Sequence, residues 1–326
     1  MSSRCHDPRS PLQRFATSCR AFASHAVRAP LRVAANWAIS TMILLGLPAA
    51  LLADEPASCA SDRTVIPLQK TDSKRRVLRI SADPNNLPFT NRRLEGFENK
   101  IAEMLAKEMN ADLEYIWRAQ RRGFFRLALK EGECDLVLGV PVGFDRALAT
   151  KPYYRSTYVF VSRVDRNLKL GSLDDPQLPK LKIGVQIVGD DGNNPPAAHS
   201  LALRGMVDNI VGFSIYGDYE QENPPARIVE AVAKKDLDAA IVWGPLAGYF
   251  AKRQTAELRL APVTPEIDPP GLRYAFSIAM GVKKGNRELR DEIDAILERR
   301  RADIERILDE YAIPRLPIPP RKEPQP

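Results

Sequence analysis

From Val77 onward the sequence passes twice through the same order of apolar runs and amphipathic stretches, and this repeat limits the fold more than any other feature. VLRISAD (77–83) reads as a buried strand, followed by a turn-rich loop, PNNLPF (84–89). GFENKIAEMLAKEMN (96–110) puts Phe97, Ile101, Leu105 and Met109 on one side, because residues three and four apart share a face of a helix. DLEYIW (112–117) reads as a strand and RRGFFRLALKEG (121–132) as a helix. CDLVLGV (134–140) is a continuous apolar strand of the kind covered on both faces. Strands and helices alternating in this way imply parallel pairing with right-handed crossovers.

The pattern then restarts. YVFVSR (158–163) leaves the first unit, and LKIGVQ (181–186), NIVGFSIYG (209–217) and DAAIVW (238–243) are the next strands. Helices are expected over Ala197–Met206 and Ala226–Lys235. After a proline-rich turn (Pro262–Pro270) come a strand, YAFSIAMGV (274–282), and a long amphipathic helix, Asn286–Tyr311. These last two elements lack a unit of their own, so they are expected to return to the first. The expectation is therefore two α/β lobes joined by two chain crossings, with a cleft between them. Residues 77–165 and 270–312 would form lobe 1, and 166–269 lobe 2. Residues 54–76 read as a linker, and 313–326 as a proline-rich extended tail. Such a cleft gathers strand ends and loops around a ligand space, and binding closes the hinge.

Residues 1–53 read as a signal peptide. They hold six arginines and one acid, Asp7, ahead of an apolar run from Trp37 to Ala53 that Asp54 and Glu55 end. The run is short against the ~20 residues a membrane span needs, and Pro48 interrupts it. An uncleaved anchor is the alternative. Export to the periplasm, with no stable membrane span once the leader is removed, is the expectation. The net charge of +7 falls to +2 without this segment, leaving 42 Lys+Arg against 40 Asp+Glu. No concentrated basic face remains, which argues against a nucleic-acid partner. Cys59 and Cys134 remain after the leader; they either pair in an oxidising compartment or leave Cys134 as a buried thiol.

The residue inventory speaks against catalysis. His199 is the one histidine beyond the leader, and two separated cysteines do not make the usual zinc spacing. The sequence has no nucleophile elbow, phosphate loop or dinucleotide fingerprint. No catalytic residue, cofactor or metal site is assigned.

ADPNNLPF, GFENKIAEMLAKEMN, CDLVLGV, KPYYRSTYVFVSR and IGVQIVGDD, in that order, resemble type II periplasmic solute-binding proteins. More narrowly, they are similar to the quinoprotein-dehydrogenase-associated substrate-binding proteins of the MoxJ/XoxJ type, over about 77–312. The resemblance implies the type II periplasmic-binding-protein fold and a periplasmic location. It also implies a link to a pyrroloquinoline-quinone (PQQ)-dependent methanol or alcohol dehydrogenase and its cytochrome c partner. Either a small molecule or the dehydrogenase itself would occupy the cleft. Relatives often carry cysteine where Ser81 stands, so a bond from that position to Cys134 would be missing here or replaced by one from Cys59.

Site residues follow partly from this resemblance and partly from where the strands and helices end. Arg146 stands where amino-acid-binding relatives place an arginine that grips a carboxylate; a surface arginine is the alternative. Trp243 stands where many of them carry the aspartate that holds a ligand ammonium, which argues against an ordinary amino-acid ligand. It would stack on a ligand, fill the cleft, contact a partner or pack in the core. Asp190 and Asp191 either offer oxygen ligands or form a turn before the next helix. Asp83, Asn85, Asn86 and Phe89 follow the opening strand at the cleft rim. Tyr153, Tyr154 and Arg155 lie near the first crossing, as ligand contacts or hinge packing. Glu98, in the first turn of its helix, is expected to complement the helix dipole. Two other functions stay open: an ordinary ABC-transporter solute receptor, and an enzyme on this fold such as a prephenate-type dehydratase.

Overall fold

The computed structural model describes residues 62–67, 75–120, 124–130, 132–187, 194–214 and 219–320. The expected signal peptide, Cys59, Asp190 and Asp191 lie outside the described residues.

In chain order the first part holds β1 (Asp62–Ile66), β2 (Arg76–Ala82), β3 (Asn85–Asn86), β4 (Thr90–Asn91), α1 (Phe97–Glu108), β5 (Ala111–Trp117), β6 (Leu136–Pro141) and β7 (Leu148–Ala149). A long strand, β8 (Tyr154–Arg163), follows. The second part holds β9 (Ile183–Ile187), α2 (Pro196–Leu203), β10 (Ile210–Ser214), α3 (Arg227–Ala233), β11 (Ala239–Trp243), α4 (Gly244–Ala251), β12 (Leu258–Pro262), β13 (Ile267–Asp268) and β14 (Leu272–Arg273). The chain ends with β15 (Ala275–Val282), α5 (Arg287–Arg299) and α6 (Arg301–Glu310).

The two parts repeat one topology. β2 lies between β5 and β6 and pairs in parallel with both; β9 lies between β10 and β11 and does the same. Each triad is the β-α-β-α-β unit expected from the repeat, although the second helix of the first unit is a single π-type turn, Arg126–Lys130. β8 and β15 run antiparallel between the triads and join them into one hydrogen-bonded path. Tyr154–Thr157 of β8 pair with β15, whereas Tyr158–Ser162 pair with β11, so β8 changes partner between Thr157 and Tyr158. β15 likewise pairs with β8 up to Ile278 and with β6 from there onward. These are the two crossings, and the return strand and its helices pack against the first part as expected.

Several elements differ from expectation. The segment read as a linker contains β1, which pairs antiparallel with the edge strand β5; Trp117 Nε1 donates to Thr64 Oγ1 at 2.9 Å. Its largely exposed side chains left no apolar pattern to read. α4 was not expected because it is buried from Gly244 to Phe250 and so lacks a polar face. Gly248 permits this: a Cβ there would stand 1.9 Å from the Ala312 carbonyl oxygen. The final helix breaks at Arg300, where the Arg299 and Arg300 guanidiniums both reach Glu108 at the end of α1. Its expected apolar face is present, with Leu289, Ile293, Ile296, Leu297, Ile304 and Leu308 buried. The tail is extended over 313–320 and laced to β8: Ser156 Oγ donates to the Pro314 carbonyl at 2.6 Å, and Leu316 N to the Arg155 carbonyl at 2.9 Å.

Candidate cleft and ligand site

The carboxyl ends of the parallel strands in both units converge on a cavity of about 250 Å³. Ser81 and Asp83 come from the end of β2, Gly139 and Pro141 from β6, Gln186 from β9 and Trp243 from β11. This is where open α/β sheets collect ligands, because the loops that leave strand ends diverge there. Tyr154, Tyr158, Phe276 and Ile278 of the crossing strands supply the floor.

Aromatic rings dominate one side. Trp243 lies 5.3 Å from Tyr158 and 5.9 Å from Phe276 between ring centroids, both tilted or edge-on. Its backbone N donates to Gln186 Oε1 at 2.9 Å. That bond fixes the Gln186 side chain, which is 1% exposed, and leaves its Nε2 without a partner among the described residues. Phe89 stands on the opposite rim, 5.4 Å from Phe97.

Asp83 is buried at the mouth and ties the rims together. Its carboxylate accepts from Asn85 N at 2.8 Å, Gln120 N at 2.7 Å and Tyr219 Oη at 3.0 Å. Asn85 Nδ2 donates to the Gln221 carbonyl at 2.9 Å, and Arg93 pairs with Glu222 at 3.5 Å. Tyr219, Gln221 and Glu222 belong to the connection between β10 and α3, so these contacts bridge the cleft and hold it closed. Asn86 is buried behind this rim and donates to Gln120 Oε1 at 3.0 Å.

Glu98 is the residue that sequence reasoning assigned elsewhere. The start of α1 is served instead by Asn99, whose Oδ1 accepts from Gly96 N at 3.1 Å. Glu98 is 8% exposed and lines the cavity. Gly139 makes the approach possible: a Cβ there would come within 2.8 Å of Glu98 Oε1. Burial pushes the Glu98 carboxyl up to about 8, with the neighbouring Tyr153 hydroxyl pulling the other way. Among the described lining residues there is no lysine, arginine or histidine.

Of the nominated residues, Asp83, Asn86, Phe89 and Trp243 line the cavity and Asn85 sits on its rim. Tyr153 lies behind the wall, with Oη 3.2 Å from the Leu138 carbonyl oxygen, while its neighbour Tyr154 faces the cavity. Arg155 pairs with Glu266 at 2.6 Å. Arg146 is exposed and does not line this cavity. The turn after β6 directs Ala147 into the core instead, and Phe144 packs on Phe125 at 4.6 Å. Cys134 is a buried free thiol beside the Ser81 hydroxyl, and burial pushes it up to about 12. No cluster of His, Cys, Asp or Glu suited to a metal occurs among the described residues, and no helix there is long and apolar enough to cross a membrane.

Comparison with known proteins places this architecture. The profile of the bacterial extracellular solute-binding proteins, family 3, matches residues 78–313. Protein MoxJ of Methylorubrum extorquens is 32% identical over 229 residues, spanning 68% of this chain and 76% of that protein. The crystal structure of MxaJ from Methlophaga aminisulfidivorans superposes with a TM-score of 0.64 at 26% identity, covering 73% of this chain and all of that one. The periplasmic binding protein XoxJ from Methylobacterium extorquens gives a TM-score of 0.60 at 34% identity, with 74% of this chain and all of that one covered. With its two β-α-β-α-β units, paired crossing strands and closed cleft, the chain belongs to family 3 of the bacterial extracellular solute-binding proteins, among those of the MoxJ/XoxJ type.

Proposed function

We propose that this protein is a non-catalytic periplasmic accessory to a PQQ-dependent alcohol dehydrogenase system, recognising a small ligand or the dehydrogenase through its cleft. In this reading 77–165 and 270–312 form one lobe, 166–269 the other, and 1–53 are the export signal. One observation carries the recognition role: an aromatic-walled cavity whose mouth is closed by side-chain bonds between its rims. Hinged closure of this kind converts ligand contact into a shape change that a partner can read. The kinship with MoxJ and XoxJ supports the dehydrogenase link.

The test is capture of purified PQQ-dependent methanol dehydrogenase by the immobilised full chain, with and without calcium or a lanthanide. Retention that falls at least about tenfold in Trp243→Ala, a change of roughly 1.4 kcal/mol, is the expected result. No retention under any metal condition, together with strong thermal stabilisation by one metabolite, would overturn it in favour of a transport receptor.

Glu98 gives the dehydratase reading one specific support, since a carboxyl raised to about 8 is a competent general acid. Against it stands the cavity's lack of a cation among the described residues for an acidic substrate. Turnover of prephenate-type acids that disappears in Glu98→Gln would establish that reading; absence of turnover removes it.

A further inference from the structure

We infer that the cavity takes a small organic ammonium ion lacking a carboxylate, held by Glu98 and the surrounding aromatic rings. The inference deepens the ligand-binding side of the proposed function and rests on that reading. Its starting point is an imbalance of charge. Glu98 is buried, faces the cavity, and has one side-chain partner, the Tyr153 hydroxyl. The other titratable groups around it, Tyr154 on β8, Tyr115 on β5 and Asp83 across the cavity, bring no positive charge. Asp83 is also fully engaged by two backbone amides and Tyr219.

The rings supply the second half of the argument. Phe89, Tyr158, Trp243 and Phe276 line one small space, and aromatic faces attract cations most strongly where water is excluded. A carboxylate beside such rings is the arrangement that recognises ammonium groups. Gln186 Oε1 is committed to Trp243 N, so its unpartnered Nε2 is left to donate to a hydroxyl or ether oxygen on the same ligand. With Arg146 on the outside, the described lining offers no cation to pair with a carboxylate, so an amino acid fits poorly. The volume of about 250 Å³ exceeds the ~150 Å³ that accommodates benzene, which is room for a ligand of modest size.

The charge on Glu98 makes the inference testable through pH. Its protonated form predominates below about pH 8, so an ammonium ion must displace a proton to bind there. Affinity for a permanent cation then rises by up to about tenfold per pH unit between about pH 6 and 8 and levels off above. A neutral ligand accepting a hydrogen bond from protonated Glu98 would show the reverse slope.

Isothermal titration of the full chain with choline and with its uncharged carbon isostere, dimethylbutanol, is the experiment. Choline should bind at least about tenfold more tightly than the isostere, with the rising pH profile. Glu98→Gln should remove both the preference and the slope while keeping a cooperative thermal transition; Glu98→Asp, which keeps the charge, should retain the preference. Equal binding of both probes, a falling profile, or no choline binding overturns the inference. Dehydrogenase capture is measured on the same preparation: if it persists while choline fails, the ammonium site is wrong and the accessory role stands. If both fail, the accessory reading fails with it.

Discussion

Asp268 and Glu98 are both carboxyl groups withdrawn from solvent, in opposite surroundings. Asp268, on β13 in the second part of the chain, is 0% exposed and is gripped by Arg204 through two bonds of 2.7 and 2.8 Å. That guanidinium also reaches Asp174 at 2.8 Å, and it holds the Asp268 carboxyl below the usual carboxylate range. Glu98, in the first part, has a tyrosine hydroxyl and no cation among the described residues, and burial raises it. A buried charge is tolerable only when paired. Asp268 therefore serves the fold, tying α2 to the β13–β14 ribbon, whereas Glu98 is a cost to the fold at the site where binding would occur.

The largest effect should come from breaking the paired acid. Arg204→Met strands Asp268 in the core and should destabilise the protein by about 3–5 kcal/mol in chemical denaturation. The double change with Asp268→Asn should recover most of that loss. A single-mutant loss under about 1 kcal/mol would make the two carboxyls equivalent.

Glu98→Gln should act in the opposite direction. The unfolded chain releases this proton near pH 4.5 and the folded chain near 8, so the stability contributed by the protonated group falls as pH rises between those values. Asp268 behaves inversely: its contribution is complete above its unfolded value of about 3.8 and is lost on acidification. Glu98→Gln should thus raise stability at pH 7 by about 2–3 kcal/mol and flatten its decline toward pH 8, as read by urea titration across pH. An unchanged pH slope would show that Glu98 titrates normally.

Tyr219→Phe should have the smallest effect, about 1 kcal/mol. It removes one bond across the mouth while leaving Asp83 its two amide donors. The sensitive readout is cleft opening, seen as a larger radius of gyration in solution scattering. A compact variant would mean that Asn85 and Arg93 suffice to hold the rims.

Much of this arrangement was legible because strands announce their own ends. Asp83, Asn86, Phe89 and Trp243 stand at the cavity because each follows or closes an apolar run, and the second unit positions Trp243 at the end of its last strand as the first positions Pro141. Glu98 was not legible in this role, because an acid in the first turn of a helix already has an explanation in the dipole. What turns it toward the cavity is a glycine on another strand. Arg146 shows the complementary difficulty: within a turn, sequence spacing does not settle whether a residue or its neighbour points inward, and here Ala147 does. α4 and β1 escaped notice for opposite reasons, one being apolar on every side and the other mostly exposed.

The paired crossing strands also have a consequence for how the molecule is made. β6 finds its neighbour β15 only after the entire second unit has been synthesised, and Ser156 finds Pro314 only near the last residues. Contacts so distant in sequence form slowly. The half that emerges first must therefore wait, an exposed strand edge in hand, while the half that emerges second closes on itself. The cleft lining is complete only once Phe276 and Ile278 of β15 are in place, so a chain truncated before β15 would lack that part of its floor.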